Sequence, residues 1–164
     1  LQPLAPYLKS EWIIWECAAG SGMLVRELER FNYKVIATDI LEGEEIGDFF
    51  DIEPGRWDCL VTNPPYSIKY EWLKSCYELE KPFALLMPVE MLGAKAAQKL
   101  FTKYGVQVIF MDKRIDFCMP EKRWSGNGAQ FPVAWYTWGL NLPKDMMFVE
   151  IDKPPRKMYQ ELYG

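Results

Sequence analysis

Two consecutive prolines end an apolar run near the middle of the chain, in the segment VTNPPYSI at residues 61–68. Each proline holds φ near about −65° and lacks a backbone donor, so the chain leaves this run at a rigid corner. At such a corner the side-chain oxygen of Asn63 and the carbonyl oxygen of Pro64 can point to one place. Two acceptors aimed together suit a planar amino group, which has two hydrogens to donate. Tyr66 adds an aromatic face on which a planar base can lie.

Accepting both hydrogens would draw the lone pair of the nitrogen out of conjugation and toward a methyl electrophile. Orientation and electrostatics carry most of such a transfer, so no proton acceptor of matched pKa is obligatory at its start. The chain has no histidine, which excludes His general bases, His-based triads and most catalytic zinc sites. Four cysteines occur singly, at positions 17, 59, 76 and 118. No metal site is predicted, and buried thiols are the ordinary interpretation.

A second candidate site is the segment ECAAGSG at residues 16–22, which follows an apolar run. Its small residues let the backbone pass close to a ligand and turn into a helix with free N–H groups. Asp39 ends the next apolar run, where an acid commonly binds ribose hydroxyls. The P-loop and the G-x-G-x-x-G signatures are both absent. This combination favours an adenosine ligand without a pyrophosphate, and the cationic S-adenosylmethionine also suits the nearby acids Glu16, Asp39 and Asp48.

Apolar runs alternate with amphipathic segments of helical length, which is typical of βαβ units and a mainly parallel sheet. A long polar segment at 112–130 then leads to an apolar run at 131–140 without an obvious helix, so that strand should be antiparallel. The sequence predicts an α/β fold, a Rossmann-like three-layer sandwich with a mixed seven-stranded sheet whose last strand is antiparallel. A short strand near 147–151 and a terminal helical turn are further possibilities for the tail. The predicted strands are 12–17, 34–38, 46–50 (weaker), 58–62, 83–88, 106–111 and 131–140, and the predicted helices are 23–31, 70–80 and 94–104.

The length of 164 residues fits one domain over 1–164. No apolar run is long enough to span a bilayer, and we expect a cytoplasmic protein with no membrane partner, in a bacterial or phage-infected cell.

The formal charge is −4, but residues 95–123 carry seven basic and three acidic side chains, a local net charge of +4. That region could meet a polyanion, because phosphate contacts are local. The lysines could equally be the solvated face of a helix.

The corner NPPY, preceded by ECAAGSG and an acid-tipped second strand, resembles the amino-methyltransferases, most closely the phage-type DNA adenine-N6 methyltransferases. The resemblance covers about residues 4–140 and implies S-adenosylmethionine as cofactor and DNA as partner. It also implies that GDFF at 47–50 supplies an Asp-Phe pair that contacts the cofactor adenine. The catalytic residues it implies are Asn63, Pro64, Pro65 and Tyr66. The cofactor residues it implies are Glu16, Ala18, Gly20, Asp39, Ile40, Asp48 and Phe49.

The chain departs from that family in two respects. We expect no separate target-recognition domain, so DNA contacts would have to come from 112–130, where Phe117 could flank an extruded base. The predicted DNA-binding residues are Lys113, Arg114, Phe117, Lys122 and Arg123, with Trp124 as a further candidate. The sequence starts at Leu1, and we expect that an upstream segment has been removed, with part of the strand and helix that complete the methionine pocket in the family.

Three other interpretations stay open at the level of the sequence. The same tetrapeptide serves enzymes that methylate an RNA base or the side-chain amide of glutamine, since each presents a planar NH₂ group. A non-catalytic module of this fold could instead bind nucleic acid or a partner chain through Trp124, Trp135, Tyr136 and Trp138. Strand geometry alone would place about half of these aromatic residues in the core. The oligomeric state and the recognised DNA site are not predicted.

Overall fold

The computed structural model describes residues 1–40, 45–115 and 131–152. Within these ranges eight strands form one sheet in the order β3-β2-β1-β4-β5-β7-β6-β8. The strands are β1 (Ile13–Glu16), β2 (Lys34–Asp39), β3 (Glu45–Ile46), β4 (Cys59–Thr62), β5 (Phe83–Pro88), β6 (Gln107–Met111), β7 (Val133–Trp138) and β8 (Met146–Val149). The helices are α1 (Met23–Arg30), α2 (Lys69–Glu78) and α3 (Lys95–Tyr104), with 3₁₀ turns at Ala5–Tyr7, Tyr66–Ile68 and Val89–Gly93.

Within the described residues the strands pair in parallel, except that β7 runs antiparallel to both β5 and β6. The carboxyl ends of β1, β2, β4, β5 and β6 therefore meet at one edge of the sheet. The amino end of β7 lies at that same edge, because Val133 pairs with Pro88. In sheets of this kind the ligand crevice lies beyond this edge.

Both faces of the sheet are covered, which explains why the central strands are largely apolar. All four residues of β4 and all six of β5 are buried. Trp15, Leu60 and Leu85 point to a core shared with α2 and α3, whereas neighbouring residues point to a core shared with α1 and the amino-terminal segment. Alternate side chains of a strand face opposite sides, so a strand between two cores is apolar at most positions. The buried polar exceptions in these strands are Glu16, Thr38, Thr62 and Thr137.

The predicted fold class is confirmed: a Rossmann-like α/β sandwich whose seventh strand is antiparallel. The short strand offered for the tail near 147–151 corresponds to β8 (Met146–Val149), which adds an eighth strand at the edge of the described sheet, parallel to β6. The third strand is shorter than predicted and ends at Ile46, since a turn that begins at Asp48 occupies the next residues.

Of the carboxyl-terminal aromatics expected to be about half buried, Trp124 lies outside the described residues, Trp138 is half-buried, and Trp135 and Tyr136 are buried in β7. Five of its six residues are buried, including Trp135 and Tyr136, because β7 lies inside the sheet rather than at its edge.

In the part of the chain that the structure describes, no helix has both the length and the apolar character needed to cross a membrane.

Candidate active site

The loop after β1 leads directly into α1 and takes left-handed backbone conformations at two glycines. Gly20 has φ +49° and Gly22, the N-cap of α1, has φ +73°. Glycine adopts such angles without the steric cost that a Cβ atom brings. The helix therefore starts with an uncapped amino terminus at the ligand edge of the sheet, as the sequence predicts.

Asp39, at the end of β2, holds this loop in place. Its Oδ2 accepts a hydrogen bond from the Gly20 amide at 2.9 Å, and the Ala19 amide donates to the Thr38 carbonyl at 3.1 Å. Ile40 follows with 61% of its surface exposed. The structure thus brings together Gly20, Asp39 and Ile40, three of the predicted cofactor residues.

Glu16 is the most deeply buried acid of the site, with 1% of its surface exposed. Its Oε1 accepts hydrogen bonds from the Ala18 amide, at 2.9 Å, and from the Thr62 hydroxyl. Burial raises the pKa of Glu16 from 4.5 to about 7, and the nearby negative charge of Asp39 adds to this rise. The two hydrogen bonds oppose it, because they favour the charged form of the carboxyl group. The carboxyl group therefore changes its charge close to neutral pH.

The predicted Asp-Phe pair lies in the turn after β3. Asp48 Oδ1 accepts a hydrogen bond from the Phe50 amide at 3.0 Å. Phe49 is only 7% exposed, and its ring stacks on Trp72 of α2 at 4.0 Å between ring centroids. Half-buried Asp48 and the exposed Phe50 are thus the accessible side chains here, and the predicted contact of Phe49 with a cofactor stays a prediction.

The NPPY corner lies at the end of β4. Pro64 is buried, and Pro65 has φ −65° and ψ 123° before the 3₁₀ turn Tyr66–Ile68. The Tyr66 hydroxyl donates to Asn63 Oδ1 at 2.9 Å, which fixes the orientation of the amide. Burial raises the pKa of Tyr66 well above its ordinary value, so the phenol stays a neutral donor.

Sequence reasoning missed Phe131 as a neighbour of this corner. Its ring lies 5.7 Å from that of Tyr66, at an interplanar angle of 59°, and 41% of the residue is exposed. Phe131 comes just before β7, whose antiparallel direction brings its amino end to the ligand edge. The predicted antiparallel strand was the signal that could have revealed this contact.

Two of the predicted DNA-binding residues, Lys113 and Arg114, are exposed just beyond the end of β6, at the same edge of the sheet. Lys113 Nζ donates to the Ile151 carbonyl at 2.6 Å and lies 3.6 Å from Asp112 Oδ2. The other three, Phe117, Lys122 and Arg123, lie outside the described residues, as does Trp124.

Sequence reasoning also missed Lys69 at the start of α2, whose Nζ lies 3.8 Å from Glu90 Oε1.

No protein-family model matches the chain, and no curated protein sequence matches it. Among solved structures it is similar to a dimethyladenosine transferase from Plasmodium falciparum, with a TM-score of 0.55 and 16% identity over 81% of this chain and 57% of that chain. It is also similar to a precorrin-6y C5,15-methyltransferase from Geobacter metallireducens, with a TM-score of 0.51 and 14% identity over 81% of this chain and 82% of that one. A proposed class I S-adenosylmethionine-dependent methyltransferase from Listeria monocytogenes gives a TM-score of 0.52 and 14% identity, over 98% and 67% of the two chains.

At these identities the likeness establishes the fold. The chain has the Rossmann-like fold of S-adenosylmethionine-dependent methyltransferases, and it spans little more than half the length of the Plasmodium enzyme.

Proposed function

We propose that this chain transfers a methyl group from S-adenosylmethionine to the N6 amino group of adenine in DNA. The observation that supports this proposal most directly is the rigid corner at the end of β4, where the Tyr66 hydroxyl donates a hydrogen bond to the Asn63 amide oxygen. This corner lies on the same sheet edge as the loop and the acid that the fold uses for a nucleoside-containing cofactor.

The residues at this edge fit S-adenosylmethionine. Glu16 and Asp39 are acids that suit a ligand carrying a sulfonium and an ammonium charge, and the Asp39 carboxylate can accept hydrogen bonds from ribose hydroxyls. Glycines in the loop leave room for close approach of the ligand to the backbone. Ala18, Gly20 and Ile40 would complete the surface around it, with Asp48 and Phe49 toward the adenine ring. The bound cofactor supplies the electrophilic methyl group.

The protein's part in the transfer is to orient the amine and to strengthen its nucleophilicity. Asn63 Oδ1 and the Pro64 carbonyl would accept the two amine hydrogens, so that the nitrogen lone pair turns toward the methyl group. The nitrogen would form a bond to the methyl carbon as the bond between that carbon and the cofactor sulfur breaks. The sulfur would keep this electron pair and leave as a neutral thioether, and the nitrogen would release one proton to water. Tyr66 would stack the base, and Phe131 extends the same aromatic surface. Pro65 keeps the corner rigid.

An adenine can reach this corner only when it has left the base stack, as in other enzymes that modify a base. The exposed Lys113 and Arg114 would contact the DNA backbone near it, and Phe117, Lys122 and Arg123 remain candidates for further contacts. Phosphate contacts of this kind depend on the local charge and not on the net charge of −4.

Methylation of an adenine in RNA is the second candidate, because the similar Plasmodium protein is a dimethyladenosine transferase. The acceptor chemistry at the amine is the same for both nucleic acids. A module that only binds partners through its aromatics is less well supported, since Trp135 and Tyr136 are buried in the sheet.

The experiment that separates these functions is methyl transfer from radiolabelled S-adenosylmethionine to unmodified duplex DNA, to RNA and to a glutamine-bearing protein. We expect label in DNA, and nucleoside analysis should identify it as N6-methyladenine. Asn63→Ala serves as the inactive control. Label confined to RNA or protein would contradict the choice of DNA, and label in none of the three would contradict the proposed activity.

A further inference from the structure

A buried hydrogen bond joins the two halves of the candidate site below its surface. Thr62 is fully buried and directly precedes Asn63. Its hydroxyl donates to Glu16 Oε1, and the Ala18 amide donates to the same oxygen. One carboxylate oxygen therefore connects the strand that carries the catalytic corner with the loop that carries the cofactor residues.

The contact between Thr62 and Glu16 lies where β1 and β4 end at the ligand crevice, so it can hold the two strand ends together. The register of β1 and β4 pairs Ile14 with Cys59 and Trp15 with Leu60. Glu16 and Thr62 lie one and two residues beyond the second of these pairs, toward the crevice. On that side the contact of Thr62 with Glu16 links the two strand ends through side chains.

We propose that Thr62 is a positioning residue, which acts through Glu16 to set the distance between the cofactor loop and the amine-binding corner. This inference rests on the proposed function and deepens it. Methyl transfer requires the acceptor nitrogen and the methyl carbon to be aligned closely, and small displacements cost much rate. Thr62 needs no contact with substrate or cofactor in order to control that alignment.

The carboxyl group of Glu16 gives this role a signature that ordinary packing lacks. A hydroxyl that donates to a carboxylate favours its charged form, so loss of the hydroxyl should move the titration of Glu16 to higher pH. The other titratable groups near Glu16 are Asp39 of β2 and Cys17, the next residue of the chain, with Cys76 of α2 beside Cys17. The Thr62 side chain also contacts the Cys17 thiol, but burial raises the pKa of that thiol well above its ordinary value, so Cys17 stays neutral over the pH range of the test.

The test compares Thr62→Val, which keeps the shape but removes the hydroxyl, with Thr62→Ser, which keeps the hydroxyl. Thr137→Val is the matched control, because Thr137 is also a buried strand threonine but donates to the Gln107 carbonyl, between β7 and β6. Steady-state methyl transfer to DNA is measured from pH 5.5 to 8.5, together with S-adenosylmethionine binding by calorimetry over the same range.

For Thr62→Val we expect kcat to fall about tenfold or more with little change in the KM for DNA. The pH at which S-adenosylmethionine binding reaches half its full strength should rise by about one pH unit. Thr62→Ser should restore both quantities to near the wild-type values, and Thr137→Val should change neither.

Wild-type kcat and an unmoved pH midpoint in Thr62→Val would overturn the inference. It would also fail if Thr62→Ser were as impaired as Thr62→Val, since the effect would then come from packing. If wild-type protein methylates no DNA, the proposed function fails separately, and the pH dependence of cofactor binding in the three variants still decides the role of Thr62.

Discussion

Replacing Glu16 by glutamine should change the way in which the stability of the protein depends on pH. Folding raises the pKa of Glu16 from 4.5 to about 7, and desolvation of the carboxylate is the largest cause. A folded state that holds a proton more tightly than the unfolded state is stabilised at low pH. This contribution is complete below pH 4.5 and disappears as the pH rises through about 7.

The size of the effect follows from the difference between the two pKa values. A displacement from 4.5 to about 7 corresponds to about 3 kcal/mol of stability. Glutamine is neutral at every pH, so Glu16→Gln keeps this contribution when the wild type has lost it. Relative to the wild type, the variant should therefore gain about 3 kcal/mol between pH 4.5 and pH 8, or roughly 6–12 °C in Tm for a domain of this size.

Thermal unfolding of the ligand-free protein, followed by circular dichroism at half-unit steps from pH 4.5 to 8.5, measures this difference directly. Taking the difference between variant and wild type removes the contribution of all other titrating groups. Glu29→Gln, on the exposed surface of α1, controls for the substitution itself. Parallel Tm profiles for wild type and Glu16→Gln across this range would refute the burial and charge assigned to Glu16.

Two further substitutions test the two sides of the site. Tyr66→Phe keeps the aromatic ring but removes the donor to Asn63 Oδ1, so kcat should fall about three- to tenfold. Tyr66→Ala removes the ring as well and should also weaken base binding. Equal kinetics for the two variants would contradict separate roles for the hydroxyl and the ring. Asp39→Asn can still accept the Gly20 amide but loses its charge, so calorimetry should show S-adenosylmethionine affinity reduced about tenfold. Unchanged affinity in Asp39→Asn would remove that residue from the cofactor site.

The sheet could be predicted from the sequence because its central strands are apolar at most positions. The run at 83–88 corresponds to β5, Phe83–Pro88, in which all six residues are buried. The edge strand β8 could be predicted only as a possible short strand in the tail, since it has four residues and its apolar side chains Met146 and Phe148 are exposed. Burial on both faces produces a strong sequence pattern, whereas an edge strand does not.

Residues that follow strands at the ligand edge could also be predicted, because parallel strands bring their carboxyl ends together. Gly20 and Asp39 are in contact as this rule requires. The contacts of Thr62 with Glu16 and of Phe131 with Tyr66 join residues 46 and 65 positions apart in the chain. They depend on strand register and side-chain direction, which the amino-acid pattern does not encode locally.

The central claim is that Asn63 holds the amine that receives the methyl group. The most direct measurement is the single-turnover rate of label transfer from S-adenosylmethionine to adenine N6 in duplex DNA, for wild type and Asn63→Ala, with cofactor binding and Tm measured on the same samples. We predict a rate reduced about a hundredfold or more, with cofactor affinity and Tm close to the wild-type values. A variant that transfers methyl groups at a near-normal rate would contradict the account.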